Sequence, residues 1–272
     1  MSTPSDAFIQ TPNIAWSMNG TQLKEELTGI TRSMGIIDVG FASVGMWDSD
    51  ALVSSRIKPE SRPGSIMVGS KTAIILGIPI SNATVQTAPS IAYNHAYKNI
   101  NAMLDMAAQR ITMELIARGF EAMPIPRDGY HGITGLRDTA SAFFSHRHAA
   151  YLAGLGTFGV NNVIITPRNG PRIRWVTILT DAELPTGKPL EKEVCIHCNK
   201  CVKACPQNAL RPGNYPDCIT DKERCIDRSE MLAKQGISPC GLCVAACPVG
   251  LTERSGRPTE AAKKEIQSYV KR

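Results

Sequence analysis

The feature that most constrains this chain is the position of its cysteines. All nine lie between residues 195 and 247 of a 272-residue sequence. The first run follows the pattern C-x2-C-x2-C-x3-C-P and consists of Cys195, Cys198, Cys201, Cys205 and Pro206. In this pattern three thiolates ligate one iron–sulfur cluster, and the cysteine before proline ligates a second cluster. The spacing therefore predicts electron transfer.

A second run supplies most ligands of another cluster. It follows C-x2-C-x3-C-P and lacks one cysteine of the full pattern, which must come from Cys225 or Cys218. We favour Cys225, because it lies nearer to Cys240 and follows a helical-looking segment; Cys218 follows a turn and is predicted to be a free thiol. The predicted [4Fe–4S] ligand sets are crossed between the runs: Cys195, Cys198, Cys201 and Cys247 for one cluster, and Cys205, Cys225, Cys240 and Cys243 for the other.

Zinc and disulfides are the competing interpretations of the cysteines. Structural zinc sites use paired C-x2-C knuckles rather than a three-cysteine run that ends in Cys-Pro. Disulfides need an oxidising compartment, and the N-terminus lacks the charged segment and apolar core of an export signal. The sequence contains no run of about 18 apolar residues, the length that a membrane-spanning helix needs. We therefore expect a cytoplasmic protein.

The predicted domain boundary lies just before the first cysteine. Residues 181–193 are polar and contain prolines, which is typical of a linker. We predict a large domain at 1–190, a ferredoxin-like domain with two [4Fe–4S] clusters at 191–254, and a helical tail at 255–272. The net charge of +6 permits an acidic partner but is more simply explained by solubility.

Helices and strands interleave in the large domain. Apolar residues at helical spacing predict helices at 23–34, 100–116 and 139–152. Apolar or alternating segments predict strands at 36–44, 72–80, 120–125 and 172–180. This order predicts an α+β fold in which helices cover a sheet.

A glycine-rich segment matches the dinucleotide-binding pattern G-x-G-x-x-G at Gly154, Gly156 and Gly159. That fingerprint needs a strand before the first glycine and a helix after the last. Here a helical stretch, 146–153, precedes the glycines and an apolar strand-like stretch, 163–166, follows them. Because the order is inverted, nicotinamide binding is disfavoured.

The same segment resembles epoxyqueuosine reductases and reductive dehalogenases. The shared features are the A-G-L-G-x-x-G-x-N core at 153–161 and the T-D-x-x-L-P element at 180–185, just before the cysteines. Similar segments upstream extend the resemblance over most of residues 20–250.

This resemblance implies a nitroreductase-like large domain that holds cobalamin beside the nearer cluster, with electrons passing through both clusters to cobalt. It also implies that the glycine segment lines the corrin pocket, where glycine would let a flat macrocycle approach the backbone. The cofactor-binding residues carried over are Gly154, Gly156, Gly159, Asn161 and Asn162. FMN is the alternative cofactor.

Two departures from these families leave the substrate open. Where epoxyqueuosine reductases place an aspartate acid, ungapped alignment puts Ala140, and Asp138 reaches that position only with a small gap. The chain also ends soon after its last cysteine, where those enzymes carry a tRNA-gripping repeat domain, and it lacks the twin-arginine signal of membrane-associated dehalogenases. We therefore expect weak tRNA binding.

A reduction at cobalt needs a proton donor near the metal. The candidates that precede the glycine segment are Asp128, Tyr130, His131, Asp138, His146 and His148. We favour Tyr130, Asp138 and His146 as catalytic residues. His146 and His148 are two residues apart on a predicted helix and project to different sides, so we expect one to be buried and the other solvated.

The leading hypothesis is a cobalamin-dependent iron–sulfur reductase that acts on a small-molecule or corrinoid substrate. An external low-potential donor, ferredoxin or flavodoxin, would supply its electrons. One alternative is an electron carrier or corrinoid-handling protein that reduces cobalamin for a partner enzyme, and another is a flavin-dependent iron–sulfur reductase. The oligomeric state is open, with a homodimer as one option.

Overall fold

The structure is a computed structural model that describes residues 19–127, 135, 137, 138, 142–253 and 255–268. Its helices are α1 (Gly20–Ser33), α2 (Met46–Ser49), α3 (Ala51–Ser54), α4 (Pro63–Ile66), α5 (Asn82–Val85), α6 (Ile91–Ala117), α7 (His146–Leu152), α8 (Lys200–Lys203), α9 (Lys222–Lys234), α10 (Leu242–Ala245) and α11 (Glu260–Ser268), with a short 3-10 helix at Pro59–Ser61. Its strands are β1 (Asp38–Ser43), β2 (Thr72–Pro79), β3 (Ala122–Ile125), β4 (Thr157–Phe158), β5 (Ile164–Ile165) and β6 (Ile173–Thr180).

Four strands form an antiparallel sheet in the order β1-β2-β6-β3. The two central strands, β2 and β6, are almost completely buried. Strands β4 and β5 form a separate hairpin next to the glycine segment. An antiparallel sheet covered by helices is an α+β arrangement, so the predicted fold class is confirmed.

Alternate residues of the central strands face opposite layers of the molecule. Ile74 and Leu76 of β2 pack in one core with apolar residues of α1 and α6. Ala73 and Ile75 face the other core, which contains Trp47 and residues of α7. This period of two buries both faces of the sheet, which explains why β2 is apolar along most of its length.

Most predicted elements are present, with shifted ends. Helix α1 ends just before Gly35, whose φ of 77° suits a helix terminus. The predicted helix at 100–116 begins earlier, at Ile91, because the Ser90 hydroxyl accepts a hydrogen bond from the backbone N–H of Tyr93 and caps it. The helix predicted at 139–152 is shorter than expected, since residues 142–145 are not helical.

Across the described ranges, each helix is too short or too polar to cross a membrane. This is the one property of the fold that bears directly on the expected absence of a membrane span.

Candidate functional site

Eight of the nine cysteines come together in two groups of four thiols. In the first group, site 1, burial raises the pKa of Cys201 to about 11, and the neighbouring thiols of Cys247 and Cys195 raise it further. Burial also raises the pKa of Cys247, and the thiols of Cys195 and Cys198 add to that shift. Site 1 therefore consists of Cys195, Cys198, Cys201 and Cys247.

The second group, site 2, is identified in the same way. Burial raises the pKa of Cys243 to about 12, with further contributions from Cys225 and Cys240. Burial raises the pKa of Cys225, and Cys240 and Cys205 add to it. Site 2 therefore consists of Cys205, Cys225, Cys240 and Cys243. Cys201 of site 1 also influences Cys243, so the two sites adjoin.

The two groups are the crossed sets that the spacing predicts, and the role of each cysteine as a ligand stays a prediction. Cys218 belongs to neither group, and its Sγ donates to the carbonyl of Pro212 at 3.2 Å. In the described ranges, no three His, Cys, Asp or Glu side chains lie close enough together for a single metal ion. Ligands of a four-iron cluster stand farther apart, because each binds a different iron atom.

Site 1 surrounds a cavity of about 310 Å³, including the space at its mouth. Besides the four cysteines, it is lined by Val160, Asn161, Ile165, Ile196, Asn199 and Val249. The Oδ1 atoms of Asn161 and Asn199 are buried without a hydrogen-bond partner. Turning the Asn199 amide by half a rotation would direct an N–H group there instead, and cluster sulfur atoms accept such bonds. The site therefore fits an iron–sulfur cluster.

Residues in the left-handed backbone conformation, with positive φ, bend the chain between successive cysteines. In the first run these are His197 and Asn199, with φ of 49° and 55°. In the second run Gly241 has φ of 70°, and a Cβ there would overlap the ring of Tyr93 at the start of α6. Glycine is thus required at 241 both by backbone strain and by close packing.

The predicted large domain bonds the predicted cluster domain and the start of the tail through main-chain carbonyls, and we call these contacts the carbonyl interface. Each donor is a side-chain N–H of the large domain. The pairs are Asn82 to Gly256 (2.8 Å), Gln86 to Ala245 (2.8 Å), Asn94 to Ser238, Asn161 to Cys243 (3.4 Å), Asn162 to Cys218 (3.3 Å), and Arg172 to both Cys247 (2.9 Å) and Val249. These bonds fix the position of the cluster domain and its thiols against the sheet.

His148 makes a further contact between the domains. It is only 3 % exposed, and its ring nitrogens bond the hydroxyls of Ser145 (2.7 Å) and Tyr215 (2.8 Å). Tyr215 in turn stacks on Phe158, with ring centroids 4.0 Å apart. Burial is the main reason that the pKa of His148 is lowered to about 3, so the ring is neutral near neutral pH.

Of the three favoured proton donors, Asp138 and His146 lie within the described residues. Tyr130 lies outside the described residues, and Asp138 is exposed. His146 is buried, and its ring bonds the Thr177 hydroxyl (2.9 Å) and the Pro126 carbonyl (3.1 Å). The expectation that one of the two histidines is solvated is wrong, because the short helix α7 packs between the sheet and the β4–β5 hairpin. The catalytic roles themselves stay predictions.

The three glycines of the glycine segment are needed for packing against protein. A Cβ at Gly154 would overlap the carbonyl oxygen of Lys188, and one at Gly156 would overlap the carbonyl oxygen of Ile165. A Cβ at Gly159 would overlap the Ile165 side chain. Protein atoms therefore occupy the position that a Cβ would take at each of these glycines, and contact of the segment with a corrin ring stays a prediction.

Asn161 and Asn162 are also turned toward protein. Each is only 5 % exposed, and both side-chain amides donate to carbonyls of the cluster domain. Asn162 lies in the left-handed region, with φ of 58°. Gly154 is half-buried, and the other four residues expected to bind the cofactor are buried. Their contact with a cofactor stays a prediction.

Two residues that matter for these sites were missed in the sequence. Arg172 is 3 % exposed and bonds the carbonyl of a site 1 cysteine. Its signal was an arginine at the edge of an apolar strand, directly after Gly170 and Pro171. Tyr93, beside site 2, carried no signal that distinguishes it from an ordinary helix residue.

Comparison with known proteins places these features in a family context. Residues 194–251 match the family model described as a 4Fe-4S dicluster domain. A tetrachloroethene reductive dehalogenase of Desulfitobacterium hafniense is 29 % identical over 197 residues, which is 65 % of this chain and 32 % of that protein. An epoxyqueuosine reductase of Bacillus cereus is 23 % identical over 259 residues, which is 85 % of this chain and 65 % of that protein.

The fold agrees with these sequence relationships. A reductive dehalogenase whose structure suggests a mechanism for B12-dependent dehalogenation superposes with a TM-score of 0.63 at 18 % identity, over 97 % of this chain and 36 % of that one. The chain spans about a third of the length of the dehalogenase relatives. The predicted resemblance to both groups of reductases is confirmed.

Proposed function

We propose that this chain is an iron–sulfur reductase whose two [4Fe–4S] clusters pass electrons to a bound cobalamin. The observation that carries the proposal is the gathering of eight thiols into two adjoining groups of four. Burial and neighbouring thiols raise the pKa of Cys201, Cys225, Cys243 and Cys247. Four thiolates so close together become compatible with one another only around a positively charged metal centre.

The relatives support both parts of this proposal to different degrees. The dicluster match covers all eight grouped cysteines, and the two relatives compared are both named as reductases. Cobalamin rests on the dehalogenase with the same fold, which is described as B12-dependent. When bound, cobalamin supplies a redox-active cobalt centre. The relatives do not support FMN, and retention of one cofactor or the other by the purified protein distinguishes FMN from cobalamin.

This chain's own residues perform the electron-transfer part of the work. Cys243 of site 2 lies near enough to Cys201 of site 1 for the two thiols to influence each other, so the clusters would be close neighbours. The left-handed residues and the carbonyl interface hold both sets of thiols in place. We propose a low-potential ferredoxin or flavodoxin as electron donor, a small-molecule or corrinoid substrate, and a cytoplasmic location.

The proposal is tested by anaerobic purification with iron, sulfide and cobalamin, followed by metal analysis and an absorption spectrum. We expect about eight iron and eight sulfide per chain, and cobalamin that stays with the protein through gel filtration. Retention of FMN in place of cobalamin would favour the flavin alternative. Zinc instead of iron would overturn the electron-transfer function.

One observation favours the second candidate function, an electron carrier that reduces cobalamin for a partner. Both ring nitrogens of His146 are engaged by protein groups, which leaves it poorly placed to deliver a proton. In a reductase, Tyr130→Phe, Asp138→Asn or His146→Gln should slow multiple-turnover reduction by roughly a hundredfold, if that residue is the donor, while cluster reduction persists. In a carrier all three variants should match the wild type.

Transfer RNA provides a further comparison between possible substrates. The charge of +6 predicts only salt-sensitive, nonspecific attraction to a tRNA stem-loop. Filter binding at low and high salt measures this, and tight, salt-resistant binding with epoxyqueuosine turnover would replace the small-molecule substrate.

A further inference from the structure

Arg172 places a positive charge in the interior of the protein, directly behind site 1. The residue immediately precedes β6 and is almost inaccessible to solvent. Its Nη1 donates to the carbonyl of Cys247 at 2.9 Å, and its Nη2 donates to the carbonyl of Val249. Neither partner carries a negative charge, and the salt bridges found in the described ranges do not include Arg172.

A buried guanidinium needs a nearby negative charge. Moving a cation out of water costs several kcal/mol unless hydrogen bonds and an opposite charge offset the loss. The two carbonyls offset part of it. Burial accordingly lowers the pKa of Arg172, and the Cys247 thiolate is the one charge that opposes this shift. The missing counter-charge therefore belongs to whatever Cys247 binds.

The surroundings of site 2 are different. The groups that alter the pKa of Cys225 and Cys243 are burial and other thiols, without a cation. The large domain contributes the Tyr93 ring, which lies against Gly241, and apolar side chains such as Val85. Site 2 thus faces an aromatic and apolar surface, and the side-chain donors of the large domain beside it, such as Asn161 and Gln86, are uncharged amides.

We propose that Arg172 is a positioning residue that raises the reduction potential of the cluster in site 1. One electron from a low-potential one-electron donor converts a [4Fe–4S]²⁺ cluster to [4Fe–4S]⁺, with no bond broken and no proton taken up. With its four thiolates the cluster is an anion before the electron arrives, and reduction adds one further negative charge. A fixed positive charge in a low-dielectric interior stabilises the more negative form more strongly. The inference rests on the proposed binding of a cluster by site 1.

The orphaned amide oxygen of Asn199, a residue that lines the cavity, supports the same direction. Once turned, this amide would donate an N–H bond to the cluster, and hydrogen bonds to cluster sulfur are among the features that set its potential. Site 1 therefore has a buried cation directly behind it, whereas the polar donors at site 2, the Asn161 amide to the Cys243 carbonyl and the Ala209 N–H to the Cys205 Sγ, are uncharged.

Three arginine variants test the role of the charge. Arg172→Gln removes the charge and keeps a polar side chain, and Arg172→Lys keeps the charge with a different shape. Arg168→Gln is the matched control, because it makes the same change in net charge at an exposed arginine of the same loop. Iron and sulfide are quantified first. Potentiometric titration followed by electron paramagnetic resonance then gives the midpoint potentials, with Cys225→Ser as a background in which site 1 is measured alone.

We expect Arg172→Gln to lower the midpoint potential of one cluster, the one that persists in the Cys225→Ser background, and to leave the other unchanged. Arg172→Lys and Arg168→Gln should stay close to wild type. Selective loss of the site 1 cluster from Arg172→Gln, with retention in Arg172→Lys, would support the same role. The inference is overturned if the potential of Arg172→Gln is unchanged at full iron content, or if the two Arg172 variants behave alike. A wild-type protein without iron would instead refute the proposed function.

Discussion

Site 1 and site 2 have the same ligand chemistry but face different parts of the large domain. Site 1 lies against the glycine segment, with Arg172 and two asparagine amides around it. Site 2 lies against the start of α6, where Tyr93 closes over Gly241. If each site binds a cluster as proposed, the four cysteines would determine which cluster is bound, and the protein behind them would determine how readily that cluster accepts an electron.

The largest effects should come from removing two ligands at once. If the sets are crossed, Cys195→Ser with Cys247→Ser removes two ligands of the same site, and the protein should lose about four of its eight irons. Cys195→Ser with Cys225→Ser removes one ligand from each site and should cost about all eight. Iron and sulfide analysis after anaerobic reconstitution measures both. Loss of all eight irons from the variant with Cys195→Ser and Cys247→Ser would show that each run holds its own cluster.

Single variants of Cys225 and Cys218 test which of these two cysteines belongs to site 2. Cys225→Ser should lower the iron content by about half, because Cys225 belongs to the site 2 group. Cys218→Ser should leave the content unchanged, because its Sγ donates to the backbone carbonyl of Pro212 and belongs to neither group of thiols. Equal iron loss from both variants would contradict the assignment.

Gly241→Ala should disturb site 2 while sparing site 1. The added methyl group meets the Tyr93 ring, and alanine is strained at φ of 70°, so we expect a loss of about 2–4 kcal/mol in stability. Gly236→Ala is the control, because it has φ of 71° but open space at the Cβ, and should cost about 1 kcal/mol. Thermal unfolding and the rate of iron release to a chelator measure the difference. Similar losses from both variants would mean that contact with Tyr93 is unimportant.

The smallest effect is the pH dependence of stability due to His148, a residue that belongs to neither site 1 nor site 2. Its pKa is about 3 in the folded protein, below that of an unfolded histidine, so its stabilising contribution is present above pH of about 6.5 and is lost as the pH falls. Between pH of about 6.5 and 5.5 the free energy of unfolding should fall by about 1 kcal/mol because of the protonation of His148 in the unfolded state. Urea unfolding of His148→Gln should show a shallower pH dependence. The exposed His95→Gln should keep the wild-type slope, and an unchanged slope in His148→Gln would exclude this contribution.

The sequence predicted the parts of the molecule that depend on local spacing. The cysteine runs are local patterns, so the crossed groups were accessible without a structure. Helix α6 and strand β2 followed from apolar periodicity, although Ser90 extended the helix beyond the apolar stripe. The role of Arg172 was not accessible, because it depends on a contact with Cys247, which is distant in sequence.

The glycine segment shows a different limit of sequence analysis. The pattern at Gly154, Gly156 and Gly159 was correctly separated from a dinucleotide fingerprint by its inverted context. Its glycines were then explained by a ligand, whereas the structure explains them by backbone packing against residues such as Ile165. A glycine in a sequence indicates that a Cβ would not fit at that position, and only the structure shows whether protein or cofactor atoms occupy the space.

The carbonyl interface has a consequence for how the two domains can change over evolutionary time. Every amino acid carries the same backbone carbonyl, so residues such as Ala245, Ser238 and Val249 can be exchanged without loss of the acceptor. The donors have no such freedom, since each depends on one particular side chain. Tolerance to substitution should therefore be one-sided: the cluster domain can drift in sequence at these contacts, and the large domain must keep its amides and its guanidinium.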